Sequence, residues 1–298
     1  MRKGMVIIKR FFKRFLLVIA SLVVLGGCVQ LYLLRGTTGR PLRERDLRAD
    51  TKYSSTPTIL IPGWGGSTVT YDKMINYYQD QHLAQKVLTV WVSPRGRVRV
   101  SGRLSKGQKN PLIQVLYDWN YDQTFHPQVK QLTSVLTYLQ QHYGIRQVNI
   151  IAHSYGGNEF LHAYMDSPAL QRNLKLHKLI FIGVPVEESL SARLEYRYHL
   201  IRHSHDKNFL RLRQQMQAWQ PNYPLSIYNI MGTKPGSTRT DGSVPVVQAE
   251  MLRSLVKDHP TISYQQRIYP NTTHSQLHAR KTIFRYIAHQ LWGKDDAK

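Results

Sequence analysis

Apolar residues recur along this chain with two different periods. Short runs rich in β-branched residues have the length and pattern of buried strands: Thr58–Ile61, Val87–Val92, Leu112–Tyr117, Val148–Ile151, Leu179–Ile182, Ile227–Met231 and Tyr264–Tyr269. Arg97-Val-Arg-Val100 alternates charged and apolar positions, the period of a strand with one wet face. Between these runs the spacing changes to three and four. Met74, Ile75 and Tyr78 mark a helix over Tyr71–Gln81. Val129, Leu132, Leu136 and Leu139 mark the clearest helix, with Gly144 where a left-handed C-terminal cap belongs. Asn158–Met165 and Val246–Val256 read as helices, and Ile283, Ile287 and Leu291 mark a last one that stops at Gly293. Strands alternating with helices of this length predict a mostly parallel sheet covered on both faces. Residues 187–224 break the alternation. They are too long for a simple connection and rich in Arg, His, Tyr and Gln, so they read as a helical cap inserted at the sheet edge, or as a plain surface excursion.

A third pattern occupies the N-terminus. Six basic residues and no acid precede Phe15–Leu34, where Gln30 is the only strongly polar side chain. Twenty helical residues reach about 30 Å, the thickness of a bilayer's hydrocarbon. The positive flank belongs in the cytoplasm and the rest of the chain outside. Three readings share that outcome: an uncleaved signal anchor, a lipoprotein signal with Leu25-Gly26-Gly27-Cys28 as lipobox, and a cleaved secreted product. The apolar stretch continues past Cys28 through Leu34, and this favours the anchor. The expected plan is a basic tip and anchor over 1–36, a polar tether over 37–55, and one α/β domain over 56–298 that includes the cap.

Composition narrows the partners. The formal charge is +23 at pH 7, which draws the protein toward polyanions or anionic membranes, unless the excess only keeps the surface solvated. An export signal argues against nucleic acid and points to anionic wall polymer or a membrane surface. Cys28 is the only cysteine, which excludes an internal disulfide and disfavours a cysteine metal site. His203-Ser-His205-Asp206 has two histidines in metal-like spacing but no third ligand, so no metal is expected. There is no phosphate-binding Gly-Lys motif and no dinucleotide fingerprint, so no cofactor is expected either.

One stretch carries chemistry. In Gln147-Val-Asn-Ile-Ile-Ala-His-Ser-Tyr-Gly-Gly-Asn158 an apolar run ends at small-x-Ser-x-Gly and a helix-like segment follows. A strand–turn–helix corner exposes Ser154 and sets free N–H groups of a helix start beside it. The corner is crowded, so the residues two before and two after the serine are small: Ala152 and Gly156. A serine hydroxyl also needs a base, a group that orients the base, and donors for a developing oxyanion.

With these residues in view the chain resembles the α/β-hydrolases, with Ala152-His-Ser-Tyr-Gly156 as nucleophile elbow. More narrowly it is similar to the membrane-anchored cell-surface hydrolases of Gram-positive bacteria, a family of unassigned substrate. The resemblance runs from Pro57 to the end, on PTILIPGWGGS, RVRVSG, NPLIQVLYDWN, AHSYGGN, TDGSVPV and HSQLH. It implies the order serine, acid, histidine. Asp241, in a turn after Ile227–Met231, and His274, in the loop after the last strand, satisfy it. Glu187 is the best substitute acid, while Asp118 and Asp122 precede the serine. His278 is close enough to be confused with His274, but reads as an N-terminal residue of the last helix. The resemblance further implies an oxyanion hole of the backbone N–H groups of Trp64 and Tyr155, although the family's histidine before the first glycine is Pro62 here. The expected protein is an extracytoplasmic serine hydrolase of carboxylic esters, with a substrate such as a lipid or cell-envelope component. The alternative is a surface- or wall-binding protein that keeps the scaffold without turnover.

Overall fold

The computed structural model describes residues 2–122, 124–188, 204–257 and 259–294. The chain divides into two units, Met1–Gly36 and Thr37–Lys298. In the first, helix α1 (Arg2–Leu33) contains the 22-residue apolar stretch Phe12–Leu33, whose side chains are not buried against protein. At ~1.5 Å per residue that stretch is long enough to cross a bilayer.

In the second unit eight strands form one sheet among the described residues. They are β1 (Thr58–Ile61), β2 (Gln85–Val92), β3 (Val98–Gly102), β4 (Pro111–Tyr117), β5 (Gln147–His153), β6 (Lys175–Ile182), β7 (Leu225–Gly232) and β8 (Ile262–Tyr269). The order is β3-β2-β4-β1-β5-β6-β7-β8. Every neighbouring pair is parallel except β2–β3, an antiparallel edge hairpin. The half-wet alternation of Arg97–Val100 thus belongs to the edge strand.

The central strands are apolar on both faces because both faces are covered. Ile59, Ile61, Ile150, Ala152, Leu179 and Phe181 pack against α3 (His126–Tyr143), α4 (Tyr155–Met165), α6 (Lys207–Ala218) and α8 (Leu252–Val256). The residues between them, Leu60, Ile151, Ile180 and Ile182, pack on the other face against α2 (Thr68–Asp80) and α10 (Lys281–Trp292). This is the period-two rule of a strand with both sides dry. The expected cap at Gly144 is present: it is left-handed, at φ 64°, and closes α3.

Several expectations need correction. The Val246–Val256 helix is two short ones, α7 (Val246–Glu250) and α8, broken at Met251. The buried Asn229 side chain from β7 donates to the Ala249 carbonyl at 2.9 Å, taking an acceptor the helix ladder would use. Helix α5 (Pro168–Asn173) was not anticipated, although it carries a start signal: Ser167 accepts from the Leu170 N–H, and Pro168 is the first helical residue. His278 does not begin the last helix. It caps α9 (His274–Leu277), and α10 starts at Lys281.

The polar stretch 37–55 is not a free tether. Thr37 N–H donates to the buried Gln114 side chain at 2.8 Å, Ser54 N–H to Asn110 at 2.9 Å and Lys52 N–H to the Trp292 carbonyl at 2.7 Å. These backbone groups find acceptors inside the domain, which no apolar pattern advertises. Of the expected cap, 189–203 lies outside the described residues. Its later half is a body helix: α6 buries Phe209, Leu212 and Met216 in the main core, and Arg211 pairs with Asp166 of α4's C-terminus at 3.4 Å.

Candidate active site

The site gathers at the rim where the parallel strands end. β5 runs through Ala152 and His153 into Ser154, and α4 begins at the next residue. Ser154 sits at φ 55°, ψ −135°, a conformation that L-residues avoid and that costs on the order of 1–3 kcal/mol. Its neighbours hold it there. Ser154 N–H donates to the Ile182 carbonyl at 3.0 Å, and Gly157 N–H to the Ser154 carbonyl at 3.1 Å. A Cβ on Gly156 would fall 2.5 Å from the Pro62 carbonyl oxygen, which accounts for the small residue there. Tyr155 occupies the first position of α4, where no carbonyl one turn back takes its N–H.

The loop after β1 closes over this corner. A Cβ on Gly63 would fall 2.6 Å from Ser154 Cβ and 3.2 Å from Tyr155 N. The loop folds back as Gly66 N–H donates to the Gly63 carbonyl at 2.9 Å. Asn120, buried beyond β4, clamps it: its side-chain amide donates to the Gly63 carbonyl at 2.7 Å, and its own carbonyl accepts from Gly65 N–H at 2.6 Å. Asn120 thus steadies a loop that has Pro62 in place of the family's histidine, and sequence reasoning missed it.

Asp241 follows β7 and His274 follows β8. His274 Nδ1 lies 2.7 Å from Asp241 Oδ2. The other carboxylate oxygen accepts from Ser243 N–H at 2.9 Å and Val244 N–H at 2.7 Å, and His274 N–H donates to the Asp241 carbonyl at 3.0 Å. The Asp241 side chain is 2% exposed and that of His274 15%. A carboxylate only accepts, so Nδ1 is the donor to Asp241, and the neutral tautomer with that proton presents Nε2 as an acceptor. Gly183, at φ 57° after β6, leaves room for the pair: a Cβ there would be 3.1 Å from both Asp241 Oδ2 and His274 Nδ1.

Ser154 and His274 line one cavity of about 460 Å³, together with Trp64, Tyr155, Glu188 and Gln248. Of the residues singled out from sequence, Ser154, His274, Trp64 and Tyr155 therefore share a cavity, and Asp241 reaches it through His274. Glu187, the substitute acid, is buried and accepts from the Ser204 hydroxyl at 3.0 Å, while His274 Nδ1 is already taken by Asp241.

Beneath the pair three imidazoles meet, that of His274 tilted and that of His278 edge-on to His153. The His153 ring lies 4.5 Å from that of His274 and 4.6 Å from that of His278, and His153 Nε2 is 3.4 Å from the His274 carbonyl oxygen. Burial, then the neighbouring His274 and His278, hold His153 well below the usual histidine range, so it is neutral. Burial also lowers His278. Tyr155 is pushed up to about 12, by burial first and then by the Glu188 carboxylate. No sequence signal marks His153, the unspecified position between Ala152 and Ser154, as a partner of the site. His203 of the metal-like stretch lies outside the described residues, and among the described residues no group of three His, Cys, Asp or Glu side chains is arranged to hold a metal ion.

A mostly parallel sheet with a serine on a strained strand–helix corner defines this protein as an α/β-hydrolase. A family model described as "Alpha/beta hydrolase of unknown function (DUF915)" matches residues 46–294. The chain belongs to that family. Its fold is similar to that of the lin2722 gene product of Listeria innocua, at 22% identity and a TM-score of 0.67, over 80% of this chain and 94% of that one. It is similar also to a candidate cell-surface hydrolase from Lactobacillus plantarum WCFS1, at 19% identity and a TM-score of 0.62, over 79% and 89%. No curated protein matches the sequence.

Proposed function

We propose that the protein is an extracytoplasmic serine hydrolase, anchored by α1, that cleaves carboxylic esters through an acyl-enzyme on Ser154. The observation that carries this reading is the 2.7 Å pair of His274 and Asp241 lining, through His274, the cavity that holds Ser154. Ser154 Oγ attacks the ester carbonyl while His274 Nε2 takes its proton. Asp241 keeps the imidazole in the Nδ1–H tautomer and stabilises the cation. The oxyanion accepts from the N–H groups of Trp64 and Tyr155. Collapse of the tetrahedral intermediate breaks the C–O bond, and His274 returns the proton to the departing alcohol. Water then repeats the sequence on the acyl-enzyme and restores Ser154. The serine's proximity to a preformed Asp–His pair is an arrangement acyl transfer needs and a binding module does not.

The anchor and side follow from charge and length. The six basic residues before Phe15 stay in the cytoplasm, so the domain faces outward. A fluorophosphonate probe tests the chemistry on the full chain. Covalent labelling of the wild type that vanishes in Ser154→Ala is the expected result. Absence of labelling in both forms leaves the surface-binding alternative standing in its place.

A further inference from the structure

The rim of the sheet carries an exposed feature that the acyl-transfer reading does not use. β1, β2 and β4 are parallel, so the loops after them emerge on the same side as Ser154. The loop after β1 holds Trp64, and the loop after β4 holds Trp119 and Tyr121. All three rings stand in water, 56%, 52% and 40% exposed. They touch edge to face in one chain: Tyr121 is 5.8 Å from Trp64 and 5.2 Å from Trp119 between centroids. Soluble domains seldom leave such rings adjoining and wet without a partner. The row is also held in place. Trp64 Nε1–H donates to the Asp122 carbonyl at 2.9 Å, and Asn120 ties the two loops together. It begins inside the cavity, since Trp64 lines it.

Beside this row lies positive charge. The β2–β3 hairpin turns at the same rim, with Arg95, Arg97 and Arg99 exposed. It is joined to the aromatic loop through Asp118, whose N–H donates to the Val92 carbonyl at 2.9 Å and whose carboxylate pairs with Arg99 at 2.8 Å. Tryptophan and tyrosine favour the boundary between headgroups and acyl chains, and arginines favour anionic headgroups. The chain itself carries a stretch long enough to span a bilayer and an excess charge of +23.

We infer that this rim is a docking surface for an anionic bilayer: Trp64, Trp119 and Tyr121 enter the interface, the hairpin arginines hold the headgroups, and the ester is drawn from the membrane into the cavity. The substrate class, a lipid ester, rests on the serine-hydrolase reading; the docking does not.

The test uses the full chain in phosphatidylglycerol vesicles with brominated or plain acyl chains, read by tryptophan emission. Residues 1–36 contain no tryptophan, Trp292 is buried, and Trp91 and Trp219 are half-buried and outside the aromatic row, so the share of bromine quenching that Trp119→Phe removes reports on the rim. Emission is expected to fall in brominated vesicles, less so in brominated phosphatidylcholine. Trp119→Phe is expected to remove about half of the fall, Trp64 supplying the rest. Arg95→Glu with Arg97→Glu, both on an exposed hairpin where folding is unthreatened, is expected to weaken rim residence by about fivefold per arginine. Equal emission in brominated and plain vesicles overturns the inference, as does quenching that persists undiminished in Trp119→Phe. Emission that shifts with a soluble polyphosphate but not with brominated lipid assigns the rim to a polymer and overturns it too. None of these readouts needs turnover, so a failure here is separable from a failure of Ser154 to label.

Discussion

The Cβ that Gly63 lacks would fall 2.6 Å from the Cβ of Ser154, so the loop after β1 and the nucleophile corner touch backbone to side chain. The same virtual atom is 2.7 Å from the His153 carbonyl oxygen. Neither obstacle is the far end of a long side chain that can swing aside. In Gly63→Ala the loop must lift, and the Trp64 N–H moves with it. On the proposed mechanism that N–H is an oxyanion donor, and displacing it lowers kcat by about a hundredfold or more. The expected result is that loss in ester hydrolysis with a far smaller drop in melting temperature, measured on the same preparation.

Asp241 and Glu187 give opposite expectations although both follow the serine. Asp241 holds His274 Nδ1, and Asp241→Asn presents an amide that permits the wrong tautomer. A fall in kcat of about 10³–10⁴ is expected, with folding preserved because the side-chain oxygen still accepts from Ser243 and Val244. Glu187→Gln, whose wild-type partner is Ser204, is expected to leave kcat within a few-fold. Steady-state rates for the two variants discriminate between the acids directly. A large loss in Glu187→Gln with little in Asp241→Asn would reverse the assignment.

Much of this was legible in the chain, and the exceptions share a cause. Strand cores such as Val148–Ile151 and Leu179–Ile182 announce themselves, because two dry faces demand unbroken apolar runs. The Ser154 corner was legible because its crowding dictates Ala152 and Gly156. What escaped depends on contacts between distant polar groups. Asn229 takes a helix carbonyl twenty residues away, Asn120 clamps the loop at Gly63, and His153 acquires its two imidazole neighbours only when α9, which follows β8, folds back to the end of β5. Residues 187–224 read as helical from their composition, yet the destination of 207–218, the main core against α4, was not legible. Periodicity states that a face is apolar; it does not name the partner.

Glu159 lies in α4, 1% exposed, and accepts from the Tyr117 hydroxyl at 2.9 Å. Burial raises its carboxyl to about 8, against a smaller lowering by that hydrogen bond. The folded protein therefore keeps a proton that the unfolded chain, with a value near 4.5, gives up. The associated stability is fully present below about pH 4.5 and is lost as pH rises through about 8. The loss is on the order of 4 kcal/mol. Glu159→Gln keeps an acceptor for Tyr117 and removes the titration. Urea midpoints at pH 5 and pH 9 are expected to separate in the wild type and to converge in the variant. Parallel pH profiles for the two proteins would refute this.

Asn110 decides whether the segment before β1 belongs to the domain. Its side chain is fully buried and makes three bonds: Oδ1 accepts from Ser54 N–H at 2.9 Å, and Nδ2 donates to the carbonyls of Lys52 at 3.1 Å and Leu83 at 2.9 Å. Its backbone sits at φ 43°, where asparagine is better tolerated than most residues. No other residue type supplies one acceptor and two donors from so short a side chain at that backbone angle. Asn110→Ala leaves three part-buried backbone groups, Ser54 N–H and the Lys52 and Leu83 carbonyls, without this partner at about 0.5–1.5 kcal/mol each, and the stretch recovers water for them by peeling off the body. The expected outcome is a loss of about 2–4 kcal/mol in unfolding free energy, with new proteolytic cleavage confined to 40–55. Cleavage of the wild type at the same sites and rate would show that 37–55 swings freely after all, and that its hydrogen bonds to Gln114, Asn110 and Trp292 do not hold it.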